Sequence, residues 1–212
     1  EMGFNLMVTE GAKHVLGWKS PNYMYANNIN PKLRLLLRNY RLSDDISLRF
    51  ASDCLTTDNY VERLNEIKDG EVVNVCVDYD NFGYRYDDST GILNFMRYLP
   101  EAIFNNTDFE FAKPIEMLDK LQTMSMFDAP IPLSCMDEER DLSAWMGNVL
   151  QDDALETLYS FANKVKRNKE EDVIRDWNAL QDANHFYSLC TKYSNVSPYD
   201  YYINYMNILT DF

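Results

Sequence analysis

Val72-Val73-Asn74-Val75-Cys76-Val77-Asp78-Tyr79-Asp80-Asn81-Phe82-Gly83 joins the most strand-like run of the chain to its richest group of polar side chains. Four valines and a cysteine around one asparagine predict a buried strand, because β-branched residues suit a pleated surface. The strand delivers Asp78 at its C-terminal end, followed at once by a second carboxylate, an aromatic and a glycine. In parallel α/β architectures, side chains that do chemistry collect at such strand ends and in the loops after them. Asp78 fits two roles there. Leaving an apolar strand, its carboxyl is partly desolvated, with the raised pKa that a general acid needs. Alternatively Asp78 caps a turn and Asp80 faces solvent.

On the N-terminal side, Phe4-Asn5-Leu6-Met7-Val8 reads as a buried strand ending at Thr9-Glu10-Gly11. Asn30-Pro31 predicts a helix start, with Leu33, Leu36 and Leu37 as its apolar face. Ile46 to Phe50 alternates as a strand does, and Asp58 to Ile67 has the spacing of a helix with Val61, Leu64 and Ile67 on one side. Beyond Gly83 a helix is expected from about Thr90 to Asn105, bent or restarted at Pro100. Three strand–helix units in a row point to a parallel sheet or barrel with helices outside. After Asn105 the pattern changes. Pro114 to Met126 reads as a short helix, Ala129-Pro130-Ile131-Pro132 as a rigid extended link, and everything from Asp141 as helical. The expected helices run from Asp141 to Arg167, Glu170 to Tyr193, and Pro198 to Leu209. The expected domains are therefore 1–128, an α/β part, and 129–212, a mainly helical region packing on it.

Composition excludes several classes. With 212 residues, the chain is long enough for a real core. Its net charge of −14 argues against a nucleic-acid partner, which needs clustered Lys and Arg. The densest basic run, Lys164 to Lys169, is answered at once by Glu170-Glu171-Asp172 and reads as a solvated junction between helices. Cys54, Cys76, Cys135 and Cys190 are scattered without metal-ligand spacing, so neither a zinc site nor a disulfide framework is expected, and a reducing, cytoplasmic compartment is the expectation. No run is apolar enough to imply a membrane span. The chain opens Glu1-Met2-Gly3-Phe4 and enters a strand directly, which suggests the middle of a longer protein.

Strand-end placement also selects Thr9 to His14 and Ala51-Ser52-Asp53. His14 and His185 are too far apart in sequence to form a metal site by local spacing. Trp18, in a loop beside Tyr23 and Tyr25, suits stacking against the C–H face of a sugar, whereas Trp145 and Trp177 lie on helices and belong to a core. Motifs for a serine nucleophile, a phosphate loop or a dinucleotide are absent.

Asp78 to Gly83 resembles the fourth signature of glycoside hydrolase family 57, written D-Y-E-T-F-G-E-H in its α-amylase-type branch. Thr9 to Tyr23, Leu36 to Ile46, Glu139 to Asn148, Leu180 to Tyr187 and Ser197 to Asp200 are similar to that branch in the same order. The resemblance implies an α/β fold, the second half of an incomplete (β/α)7 barrel, followed by a helical subdomain. It implies retaining cleavage of α-glucan polysaccharides or maltooligosaccharides by a carboxylate pair roughly 5 Å apart; no cofactor is expected, and no ligand spacing implies a metal. Asp78 matches the acid/base residue, while His14, Trp18, Phe82, Asp141 and His185 would contact the glucan, Asp141 alternatively capping a helix. The nucleophilic glutamate is expected upstream of Glu1, in an N-terminal half of the parent chain that would be this part's partner, and Glu10 does not match it by motif. The chain alone is then expected to be inactive. Departures fall on the signature itself: Asp80 for glutamate, Asn81 for threonine, and Tyr84-Arg85 for the Glu-His pair. Cys135 and Asn184 also stand where tryptophan and aspartate are common. A catalytically silent glucan-binding protein is the alternative.

Overall fold

The computed structural model describes residues 3–168, 170–192 and 197–211. Glu1 and Met2, Lys169 of the basic run and Tyr193 of an expected helix lie outside the described residues. The chain forms two compact units, Glu1–Leu133 and Ser134–Phe212.

The first unit is built on a mixed sheet of β1 (Leu6–Glu10), β2 (Met24–Asn27), β3 (Arg34–Arg38) and β4 (Ser125–Phe127), in the order β1-β3-β2-β4. A four-residue helix, α1 (Lys13–Leu16), follows β1. β1 runs parallel to β3 with Glu10 opposite Arg38, β2 is antiparallel to β3, and β4 is parallel to β2. β3 is the expected helix corrected to a strand. Its run Leu35-Leu36-Leu37 is buried on both faces, and a central strand with two apolar faces reads as a continuous apolar run rather than an alternating one. Leu35 and Leu37 pack with Tyr25 and Phe127 on one side, Leu36 with Met24 and Met117 on the other.

Tertiary context overrides the pattern at three more places. The expected strand at Ile46 to Phe50 falls in α2 (Tyr40–Ser47) and the turn after it. Asn39 starts that helix by accepting the Leu42 N–H at 3.1 Å, which sets Leu42, Ile46 and Phe50 along one buried face. Val72 to Val77 is not a strand; only Asn74 bridges to Arg38, with the Asn39 N–H donating to the Asn74 carbonyl at 2.7 Å. β1 and β2 already flank β3, and beyond Leu36 only its last two residues are open on the β2 side. Val73 and Val77 instead pack against the core of α2, α3 (Thr57–Asn65) and α4 (Ile92–Asn106). Pro100 lies within α4 without ending it. The expected helix from Pro114 to Met126 shrinks to a 3-10 turn and α5 (Met117–Lys120), because Ser125–Phe127 pairs with β2 as β4.

In the second unit the described elements are helices: α6 (Ser143–Met146), α7 (Val149–Ser160), α8 (Ala162–Arg167), α9 (Glu171–Leu180), α10 (Ala183–Ser188) and α11 (Pro198–Thr210). The expected long helix from Asp141 breaks at Gly147-Asn148. A Cβ at Gly147 would stand 2.2 Å from the Ser143 carbonyl oxygen, and Asn148 caps α7 through the N–H groups of Leu150 and Gln151. Asp182 restarts the next helix in the same way, accepting from Asn184 at 2.8 Å. Fully buried Gln151 joins three backbone groups here, donating to the Ala144 and Phe186 carbonyls and accepting the Gly147 N–H. Among the described residues, no helix is long and apolar enough to cross a membrane.

Candidate active site

Asp78 precedes a 3-10 turn, Tyr79–Asn81, that the local sequence closes on itself. The Asp78 carboxylate accepts the Asp80 N–H at 3.4 Å, and its carbonyl accepts the Asn81 side chain at 3.0 Å. Gly83, at φ 105°, donates its N–H to the Tyr86 carbonyl and folds the chain back. Asn81 is buried beneath the turn, and Phe82 is half-buried against the α2–α4 core, so its ring supports the turn from below. Asp78 itself is exposed, as are Tyr79 and Tyr84. The expected desolvation is therefore absent. It required a strand packed into the sheet, and among the described residues the segment before Asp78 forms only an isolated bridge to β3, at Asn74.

The other expected site residues lie on separate elements. His14 is exposed on α1. Trp18 is 88% exposed on the loop after α1 and lines a cleft of about 630 Å³. Asp141 and His185 belong to the second unit. The Asp141 carboxylate accepts the Ser143 N–H at 2.8 Å at the start of α6. His185 is half-buried in an aromatic cluster, its Nδ1 2.7 Å from the Tyr201 hydroxyl and its ring 5.4 Å from that of Tyr205. Near α6, Asp137, Glu139 and Asp141 bring carboxylate oxygens within 4.8 Å of one another. Lys192 is ion-paired with Glu139, and that bond lowers the Glu139 pKa.

A buried charge cluster escaped sequence reasoning. Glu10 ends β1, and its carboxylate lies 3.0 Å from Arg38 Nη1, while Arg38 Nη2 reaches Asp44 on α2 at 2.8 Å. All three side chains are at most 4% exposed. Arg38 Nε also donates to the Cys76 carbonyl at 2.9 Å, and the Cys76 N–H donates to Ser43 on α2. One guanidinium thus ties the end of β1 and the start of α2 to the segment that delivers Asp78. Desolvated charges persist when paired and hydrogen-bonded, and here Arg38 pairs with one oxygen of each carboxylate. The available sequence signal was a charged residue closing each of two apolar runs, Glu10 after Leu6-Met7-Val8 and Arg38 after Leu35-Leu36-Leu37.

The sequence profile described as Glycosyl hydrolase family 57 matches residues 1–132. A protein of Methanocaldococcus jannaschii described as "Putative alpha-amylase" is 36% identical over 238 aligned positions, which cover 100% of this chain and 50% of that protein. The chain therefore spans about half the length of this curated relative. No solved structure matches it significantly. With the profile covering all but the last residue of the first unit and the relative aligned along the whole chain, the protein belongs to glycosyl hydrolase family 57.

Proposed function

We propose that this chain is part of a retaining α-glucan hydrolase of the α-amylase type, with Asp78 as general acid and then general base. The observation that carries this is the placement of Asp78, an accessible carboxylate on a fixed turn, inside the region matched by the family. An acid at this position protonates the leaving glycosidic oxygen while a second carboxylate attacks the anomeric carbon. The incomplete (β/α)7 barrel belongs to the same proposal. It is supported by β1, whose Met7 and Val8 point to opposite faces and are 50% and 43% exposed, as suits a parallel strand with further neighbours. A reducing, cytoplasmic setting belongs to the same proposal, on the scattered spacing of Cys54, Cys76, Cys135 and Cys190.

The partner carboxylate has two candidates. The first is the glutamate expected from the family signature in a preceding half of the parent, in which case this chain is inactive alone. Glu10 is the second candidate, favoured by its buried place at the end of β1 and by the link through Arg38 to the backbone two residues before Asp78. The test is reducing-sugar release from soluble starch by the full-length protein and its Asp78→Asn variant. Asn is nearly isosteric but supplies no proton, so the rate should fall roughly 10²–10⁴-fold. An equal rate removes Asp78 from the mechanism. Glu10→Gln separates the candidates: a comparable loss assigns the nucleophile to Glu10, and an active variant assigns it elsewhere. A folded but inactive full-length protein makes the departures at Asp80 and Tyr84 decisive and leaves glucan binding as the function.

A further inference from the structure

Asn81 is one of the positions at which the turn departs from the family signature, and it holds Asp78 twice. Its backbone N–H donates to the Asp78 carbonyl at 3.2 Å, and its carboxamide Nδ2 donates to the same oxygen at 3.0 Å. The Asp78 carboxylate, by contrast, accepts only a long bond among the described residues, 3.4 Å from the Asp80 N–H. Its direction is therefore set mainly by the backbone that carries it. We propose that Asn81 is a positioning residue, whose side chain fixes the Asp78 peptide and so aims the carboxyl. The proposal rests on Asp78 being the acid/base residue of the hydrolase.

The far end of the turn is anchored in the core. Phe82, next in the chain, packs against the α2–α4 core and bridges to Tyr86. Tyr86 is buried, with its ring 5.7 Å from that of Phe50 and its hydroxyl donating to the Ser47 carbonyl at 3.4 Å. Asn81 carries that anchorage back to Asp78. Its side chain is 3% exposed, and its Oδ1 is buried with no partner among the described residues. A buried acceptor without a partner costs stability. Natural proteins break the rule of polar satisfaction chiefly where function demands it, and here the donor half of the carboxamide is the half that reaches Asp78. The signature's threonine carries a hydroxyl, which in helical turns bonds the carbonyl three or four residues back. Asp78 is three residues back from position 81. Either side chain can thus supply the donor, and the departure at Asn81 conserves the contact.

The test uses the full-length protein with two pairs of variants. Asn81→Thr and Asn81→Ser keep a hydroxyl donor; Asn81→Val, nearly isosteric with Thr, and Asn81→Ala remove it. Folding is checked by the midpoint of thermal unfolding. The ratio kcat/KM, which reports cleavage of the glycosidic bond, is measured on maltoheptaose and on a nitrophenyl maltotrioside, whose phenol leaves with little need of a proton. Loss of the donor should lower kcat/KM on maltoheptaose roughly tenfold to 10²-fold, the scale of a misplaced catalytic group, and lower it little on the aryl substrate. Asn81→Thr should retain most of the activity on both, and the Ser and Ala pair gives the same comparison if Asn81→Val does not fold. An unchanged rate in Asn81→Val, an equal loss on the two substrates, or Asn81→Thr as impaired as Asn81→Val overturns the proposal. Failure of both donor-less variants to fold makes the bond a folding contact and overturns it too. A loss in Asp78→Asn with none in Asn81→Val overturns this role alone and leaves the hydrolase proposal standing. Full activity in Asp78→Asn, or a wild type inactive on both substrates, overturns both.

Discussion

Replacing Arg38 with Met tests whether the buried charge cluster organises the first unit. The side chain is 4% exposed and bonds at 3.0 Å to Glu10 and 2.8 Å to Asp44, themselves 3% and 1% exposed. Met fills similar volume, so the cavity contribution is small, and the cost comes from two carboxylates left buried without their cation. Removing one partner of a buried pair costs about 3–5 kcal/mol, and here a third bond, to the Cys76 carbonyl, goes with it. At a urea slope of about 2 kcal/mol per molar, the unfolding midpoint should fall by roughly 2 M. The assay is urea denaturation followed by far-ultraviolet circular dichroism. Neutralising the stranded groups in the triple variant Arg38→Met, Glu10→Gln, Asp44→Asn should recover a large part of the loss, since apolar or neutral replacement of a whole buried ion cluster is often close to neutral. A fall below about 1 kcal/mol for Arg38→Met, or a triple variant less stable than the single one, would refute the reasoning.

Two further outcomes follow in the second unit. Gln151→Leu removes the partners of the Ala144 and Phe186 carbonyls and of the Gly147 N–H, and at about 1–3 kcal/mol for each orphaned buried group it should cost roughly 3 kcal/mol or more, read from the midpoint of thermal unfolding. Tyr205 should make stability fall at alkaline pH. Burial pushes its phenol from 10.0 up to about 12, so between those values the unfolded chain loses the proton while the folded chain keeps it. The contribution is therefore fully present below pH 10 and lost as pH rises toward 12. Tyr205→Phe should flatten that fall and cost about 1 kcal/mol at neutral pH, through the lost bond to the Leu180 carbonyl. An unchanged alkaline profile in the variant would assign the fall to other groups.

Much of the local structure was legible in the sequence. The strand ending at Glu10 was readable, although Met7 and Val8 are exposed where a buried strand was expected, and so were the helix over Thr57–Asn65, capped by Thr56, and the final helix opened by Pro198. The α/β class and the family followed from element order and from motifs in register. Asp78 was singled out as a polar residue ending a valine run, and its turn is formed by its immediate neighbours.

Tertiary structure decided what local pattern left degenerate. Leu35-Leu36-Leu37 suits a helix face or a doubly buried strand, and neighbours on both sides of β3 made it a strand. Val72 to Val77 has the composition of a strand, but the sheet offered it one backbone partner at Arg38, and so Asp78 emerged into water. Sequence also named charged residues at 10, 38 and 44 without saying that they meet. Parallel pairing of β1 with β3 set Glu10 beside Arg38, and the Asn39 cap turned α2 so that Asp44 faces inward. Periodicity records which faces are apolar, whereas pairing between distant segments depends on which partners remain open once the rest of the chain has packed.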